Sequence, residues 1–169
     1  LSRGIIHVEE KIQDFELHPQ TGNVTAIQLA ERKISCDFVI DASGFARLLI
    51  GKKYQGHWYS FSDLLPMNRA LPFHLAHQDK IELVTRATAM SSGWVWQIPL
   101  RERIGAGYVY NDQFISDLQA QQEVEQWLGR EIYPAKPIAF EAGYYQQVWE
   151  HNVVAIGLAG GFVEPLEAS

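Results

Sequence analysis

Phe38-Val39-Ile40-Asp41-Ala42-Ser43-Gly44 is the stretch that decides the fold. Three apolar residues in a row read as a strand covered on both faces. The run ends in an acid, then in the small pair Ser43-Gly44, then in a helix-compatible run from Phe45 to Ile50. Strand, tight turn and helix make an α/β element, and ligands of such sheets sit at the carboxyl ends of the strands. Asp41 at that end suits two roles, a hydrogen bond to a cofactor ribose or a cap for the following turn.

Upstream the chain is β-rich. Ile5, Ile6 and Val8 predict a short strand, so the first residues already read as structured. Ile12, Phe15 and Leu17, then Val24, Ile27 and Leu29, flank the polar turn cluster His18–Asn23 and predict an antiparallel hairpin or meander. Downstream, residues 51–80 read as mixed and loop-rich, with Pro66 and Pro72 breaking the pattern. Residues 81–110 predict three antiparallel strands, with Trp94, Trp96 and Ile98 on one face and Ile104, Ala106, Tyr108 and Tyr110 on one face of the next strand. Ser116 with Gln119 forms a capping-box pair at the head of a helix, and Gly129 suits its end. Ile138 and Phe140 open another strand. Val153 to Leu158 predicts a final buried run closed by Gly160-Gly161, and a further helix is expected to begin at Glu167-Ala168-Ser169.

Composition narrows the classes. The 169 residues are 47% hydrophobic and 20% charged, ordinary for a globular domain. A formal net charge of −6 argues against a nucleic-acid partner. No apolar run reaches the roughly 18 residues of a membrane span. The single cysteine, Cys36, leaves no internal disulfide and no multi-cysteine metal site, and a reducing cytoplasm is the default expectation. His74 and His77 lack the companions of a metal set and read as a surface pair, so no metal site is expected. Both ends read as cut, so the chain is expected to be an interior part of a longer one.

Two stretches carry candidate chemistry. In Gly157-Leu158-Ala159-Gly160-Gly161-Phe162-Val163-Glu164-Pro165-Leu166-Glu167, a glycine-rich turn follows a buried strand and two carboxylates follow the turn. Glycines let a backbone approach a flat ligand closely, and a carboxylate beside an apolar cleft can hold a developing positive charge. An ordinary strand-to-helix turn with a solvated Glu fits the same residues. The second stretch is Gly93-Trp94-Val95-Trp96-Gln97-Ile98-Pro99, whose two Trp on alternate strand positions read as core or as an aromatic platform.

Together these stretches resemble the flavin-dependent tryptophan halogenases. Trp94-x-Trp96-x-Ile98-Pro99 is the WxWxIP motif that marks the family, and Gly161-Phe162-Val163-Glu164-Pro165-Leu166-Glu167 looks like the segment just before its flavin-facing helix. Phe38–Gly44, Arg103–Tyr110 and Val154–Leu158 agree in order and spacing, so the resemblance runs through nearly the whole chain. It implies an α/β fold with mixed α+β character, the FAD/NAD(P)-binding fold of the p-hydroxybenzoate hydroxylase type. Residues 1–169 would be part of one halogenase domain, with 1–50 and 136–169 as cofactor-domain elements and 51–135 as an antiparallel sheet region with a helix.

The resemblance further implies a reaction. Reduced FAD, supplied by a separate flavin reductase, reacts with oxygen to a flavin hydroperoxide, which oxidises a halide ion that then halogenates an indole or tryptophan-type ring. It implies Glu167 as the catalytic carboxylate, Val8, Leu158, Gly160 and Gly161 as cofactor-binding positions, and Trp94 and Trp96 as gatekeepers near the flavin. The family's Gly-x-Gly-x-x-Gly fingerprint and its catalytic lysine precede this segment, and neither Lys52 nor Lys53 sits in the lysine's context. Ala168 stands where many members have Ser. Two other classes stay open on the sequence: a flavin monooxygenase or reductase of the same superfamily, and a non-catalytic binding module. Oligomeric state is not fixed, and a homodimer is compatible with the sequence.

Overall fold

A computed structural model describes residues 3–77 and 83–163. The strands, in chain order, are β1 (Asp14–Leu17), β2 (Val24–Gln28), β3 (Lys33–Ser35), β4 (Val39–Asp41), β5 (Trp58–Ser60), β6 (Arg69–Leu75), β7 (Arg86–Met90), β8 (Gly93–Pro99) and β9 (Ile104–Tyr110). Helix α1 (Asp117–Leu128) follows, then β10 (Ile138–Ala139), β11 (Gly143–Tyr145), β12 (Trp149–Glu150), β13 (Val153–Ala155) and β14 (Gly161–Phe162). The chain forms two compact units. One takes the chain up to Tyr59 and again from Tyr145 to Gly161; the other takes Ser60–Tyr144 and resumes at Phe162. No helix among the described residues is long and apolar enough to cross a membrane.

In the first unit β1, β2 and β3 form the expected antiparallel meander, with Phe15 opposite Ile27 and Ala26 opposite Ser35. The His18–Asn23 cluster closes the hairpin through His18 N–H to the Asn23 carbonyl, 2.7 Å. A second sheet has the order β12-β13-β4, and β13 pairs with β4 in parallel, Val153 beside Val39 and Ala155 beside Asp41. The core gathers Phe15, Val24, Val39, Leu49, Ile50, Tyr145, Val153, Ala155 and Ala159.

Asn152 ties the meander to the parallel pair. Its Nδ2 donates to the carbonyls of Val24 and Asp37, both at 2.8 Å, and its Oδ1 accepts from Val24 N–H at 2.7 Å. Asn152→Ala strands the N–H and carbonyl of the fully buried Val24 and frees the exposed Asp37 carbonyl. The expected loss is about 3 kcal/mol, at roughly 1 kcal/mol for each bond. Urea unfolding checks it, and a midpoint equal to wild type would refute the clamp.

In the second unit five strands run antiparallel in the order β10-β6-β9-β8-β7. Period-2 alternation sends Leu71, Phe73, Leu75, Val95, Ala106, Tyr108 and Tyr110 to one face, where they form a core with Ala120 and Val124 of α1. The capping box is present as expected: Ser116 accepts from Gln119 N–H, and the Gln119 side chain accepts from Ser116 N–H. Gly129 ends the helix in the left-handed region, φ 65°. The phenols of Tyr108 and Tyr110 are buried but satisfied, donating to Glu123 at 2.8 Å and to Asp117 at 2.6 Å. Burial first, and the Asp117 carboxylate second, push the Tyr110 phenol well above its ordinary range.

Five expectations need correction. Ile5 and Ile6 form no strand and are 60% and 85% exposed, because no described strand pairs with them. Phe38 and Ile40 are exposed, so β4 is covered on one face: the unit's core lies on the Val39 and Asp41 side, and no described layer covers the other. The run from Phe45 to Ile50 is not an α-helix. It is a 3-10 turn (Gly44–Ala46) and a π turn (Leu48–Lys53) separated by Arg47 in the left-handed region. Pro72 lies inside β6. Its carbonyl points to Ala135 N–H, 2.8 Å, away from β9, so its missing N–H falls on the side where the β6–β9 ladder needs no donor. The run from Val153 to Leu158 is buried only at Val153 and Ala155; Ile156 and Leu158 are exposed where the strand gives way to a turn.

Candidate functional site

The carboxyl ends of β4 and β13 lie side by side in the first unit, and Ile156 N–H donates to the Asp41 carbonyl at 3.0 Å. A turn leaves each strand there. Asp41 is 4% exposed, and its carboxylate holds the first turn: Oδ1 accepts from Ser43 N–H and Oδ2 from Leu49 N–H, both at 2.9 Å. Of the two roles open to Asp41 on the sequence, the structure shows the cap. Ser43 Oγ accepts from Leu48 N–H at 2.9 Å, so two side chains take the donors that a continuous helix would have used on its own carbonyls.

The second turn is Ile156–Gly160. Gly157 has φ 56°, and a Cβ there would meet nothing within 4 Å, so glycine is required for conformation rather than room. Gly160 is buried, and a Cβ there would stand 3.2 Å from Val148 Cγ1. Leu158 is exposed and Gly161 half-buried on the same turn. The 3-10 turn of this loop, Gly157–Ala159, packs on the Gly44–Ala46 turn. The structure therefore brings Leu158, Gly160 and Gly161 together at a strand-end edge. Val8 is half-buried on the irregular stretch before β1 and outside the core of the unit. Glu167 lies outside the described residues, as do Glu164 and Ala168.

Trp94 and Trp96 belong to the second unit. They lie on the face of the five-stranded sheet opposite α1, since Val95 between them is in the helix-side core. Trp94 faces Val109 and Ala89 across the ladder, and Trp96 faces Gly107 and Ala87. Ala89 beside Trp94, and Ala87 and Gly107 beside Trp96, leave room for the indoles. A Cβ on Gly107 would stand 2.6 Å from Trp96 Cζ3, so the ring lies directly on the Gly107 backbone. Trp94 Nε1 is buried without a hydrogen-bond partner.

Sequence reasoning missed Arg47, Gly107 and Asn152. Gly107 is findable only once the register sets it opposite Trp96. Arg47 sat inside a run taken as helical. Its Cζ lies 3.6 Å over the Trp58 ring, and its Nε is buried with no acceptor.

Among the described residues no group of three His, Cys, Asp or Glu side chains could hold a metal ion. A flavin dinucleotide fits what is present better. The strand-end turns expose backbone at Gly44 and Gly157, where a Cβ would meet nothing, and a buried donor on Arg47 lacks an acceptor.

The sequence profile described as tryptophan halogenase matches residues 1–169. The tryptophan 7-halogenase RebH of Lentzea aerocolonigenes is 36% identical over 98% of this chain and 32% of its own length. Among solved structures, BrvH, a flavin-dependent halogenase from Brevundimonas sp. BAL3, superposes with a TM-score of 0.89 at 37% identity, over 97% of this chain and 34% of its own. The tryptophan 6-halogenase SttH from Streptomyces toxytricini gives 0.91 at 33% identity, over 98% and 34%. The chain thus spans about a third of the length of the relatives it matches.

Proposed function

Because this chain belongs to the tryptophan halogenase family, we propose that it carries part of the flavin-binding body of an FAD-dependent halogenase acting on an indole or tryptophan-type ring. The observation that carries the reading is the pair of turns at the carboxyl ends of the parallel strands β4 and β13, where a dinucleotide cofactor is expected in an α/β sheet. In this reading the first unit serves the cofactor side and the second the antiparallel sheet; the bounds 1–50, 51–135 and 136–169 expected from the sequence shift accordingly, because Ile138–Ala139 pairs into that sheet. The location is the cytoplasm, in keeping with the single free Cys36.

The cofactors are reduced FAD from a separate flavin reductase, halide and oxygen. Bound reduced FAD would supply, with oxygen, the oxidising power that makes the halogen electrophilic. The protein's own residues do the rest. The Gly157–Gly161 turn lets backbone lie close to the flat ring, and Leu158 offers it an apolar side chain. Asp41 fixes the neighbouring turn. Trp94 and Trp96 act as gatekeepers rather than as chemical participants. Glu167 places a carboxylate where the aromatic acceptor becomes positive and loses its proton.

The test uses the intact protein with FAD, a flavin reductase, oxygen, bromide and tryptophan, read by mass spectrometry. The expected product has one hydrogen replaced by bromine. A product that gains one oxygen and no bromine would move the assignment to a flavin monooxygenase.

A further inference from the structure

Arg47 is held at several disadvantages at once. Its backbone has φ 47° and ψ 53°, the left-handed region that disfavours every residue with a Cβ. Its Nε is buried and its N–H donates to no oxygen. Its charge is not neutralised either. The ion pairs among the described residues use Arg32, Lys33, Lys53 and Arg69. What Arg47 does have is a slot: the guanidinium lies 3.6 Å over Trp58 and 5.8 Å from Tyr145. Gly51 keeps that slot open, since a Cβ there would stand 2.9 Å from Arg47 Cβ.

A stacked guanidinium has a fixed plane, and its remaining N–H groups point along that plane in a rigid fork. Such a fork matches two oxygens of one oxyanion. The neighbouring Leu48 and Leu49 N–H groups are already used by Ser43 and Asp41, so they offer no donor beside the guanidinium. Backbone strain and an unmet donor on one residue are the marks of a group kept for binding rather than for the fold. The residue lies on the turn leaving the carboxyl end of β4, packed beside the Gly157–Ala159 turn.

We propose that Arg47 binds a phosphate oxyanion, supplied by the diphosphate of the dinucleotide cofactor; naming that source rests on the function proposed above. Halide is the poorer occupant, because a single atom uses one prong of the fork. A protein carboxylate is absent from the slot among the described residues.

The test compares Arg47→Gly and Arg47→Lys with wild type in the intact protein. Glycine keeps the left-handed turn while removing the charge; lysine keeps charge and loses the fork, and covers the case in which glycine loosens the slot. FAD, riboflavin and inorganic pyrophosphate are titrated separately, by flavin fluorescence and by calorimetry. FAD should bind roughly tenfold or more weaker to Arg47→Gly, with Arg47→Lys between. Riboflavin, which has no phosphate, should bind all three proteins alike. Pyrophosphate should compete with FAD in wild type and bind far less to Arg47→Gly. Unchanged FAD affinity in both variants overturns the proposal, as does an equal loss for FAD and riboflavin. If wild type binds pyrophosphate through Arg47 but no flavin, the oxyanion site stands and the halogenase reading falls. If wild type binds neither, both fall.

Discussion

Gly93→Ala is expected to lower stability by about 3 kcal/mol, the range of severe backbone conflicts, and to unfold the sheet that carries the two tryptophans. Gly93 opens β8 and pairs with Tyr110 of β9. An added Cβ there would overlap the Val109 carbonyl oxygen, with its carbonyl carbon at 2.8 Å and Tyr110 Cα at 3.0 Å. The obstacle is backbone inside a ladder, so relief requires the strands to part. Two neighbouring glycines calibrate the effect. At Gly107 the obstacle is the Trp96 ring, a side chain that can turn, so alanine there should cost about 1–2 kcal/mol and shift the indole emission. At Gly105 a Cβ would meet Leu100 Cδ1 at 3.7 Å, an ordinary contact, and the change should stay within about 0.5 kcal/mol. Thermal melts of the three variants check the ranking. A Gly93→Ala protein as stable as Gly105→Ala would mean that the β8–β9 pairing is wrong.

What the sequence revealed depended on periodicity. The three strands from Arg86 to Tyr110, the α1 cap at Ser116 and the hairpin around His18–Asn23 were legible, because alternation, a capping box and a turn cluster are local signals. The segment from Asp41 to Lys53 was not. Its apolar run looks helical, but Asp41 and Ser43 capture the N–H groups of Leu49 and Leu48 and Arg47 turns left-handed, effects that run between side chain and backbone and leave no period. Pro72 misled for a related reason: proline breaks a strand only where its N–H is needed, and which edge needs it is a matter of tertiary pairing. The glycine turn of the first unit and the tryptophan pair of the second were each visible as motifs. The contacts of Gly107 with Trp96 and of Arg47 with Trp58 were not, because they join residues apart in sequence that only the fold brings together.

Glu167→Gln is expected to lower halogenation by about 10²- to 10⁴-fold while flavin binding persists, the span typical of a lost general base or charge-stabilising group. Electrophilic halogenation puts a positive charge on the indole ring and then requires a proton to leave. A carboxylate serves both needs; an amide of the same shape serves neither. The proposed cofactor positions Leu158, Gly160 and Gly161 are left untouched by this substitution, so the affinity for FAD should not change. Glu164→Gln is the internal control. Glu164 stands three residues earlier, across Pro165, and carries the same charge. Its variant should keep turnover within a few-fold, because proximity to the ring and not net charge is what the chemistry uses. Measured with bromide and tryptophan at saturating reduced flavin, the Glu167→Gln protein should still consume reduced flavin while little brominated product forms. Equal product from Glu167→Gln and wild type would take this carboxylate out of the reaction, and an equal loss in both glutamine variants would assign the effect to the field of the whole segment rather than to one side chain.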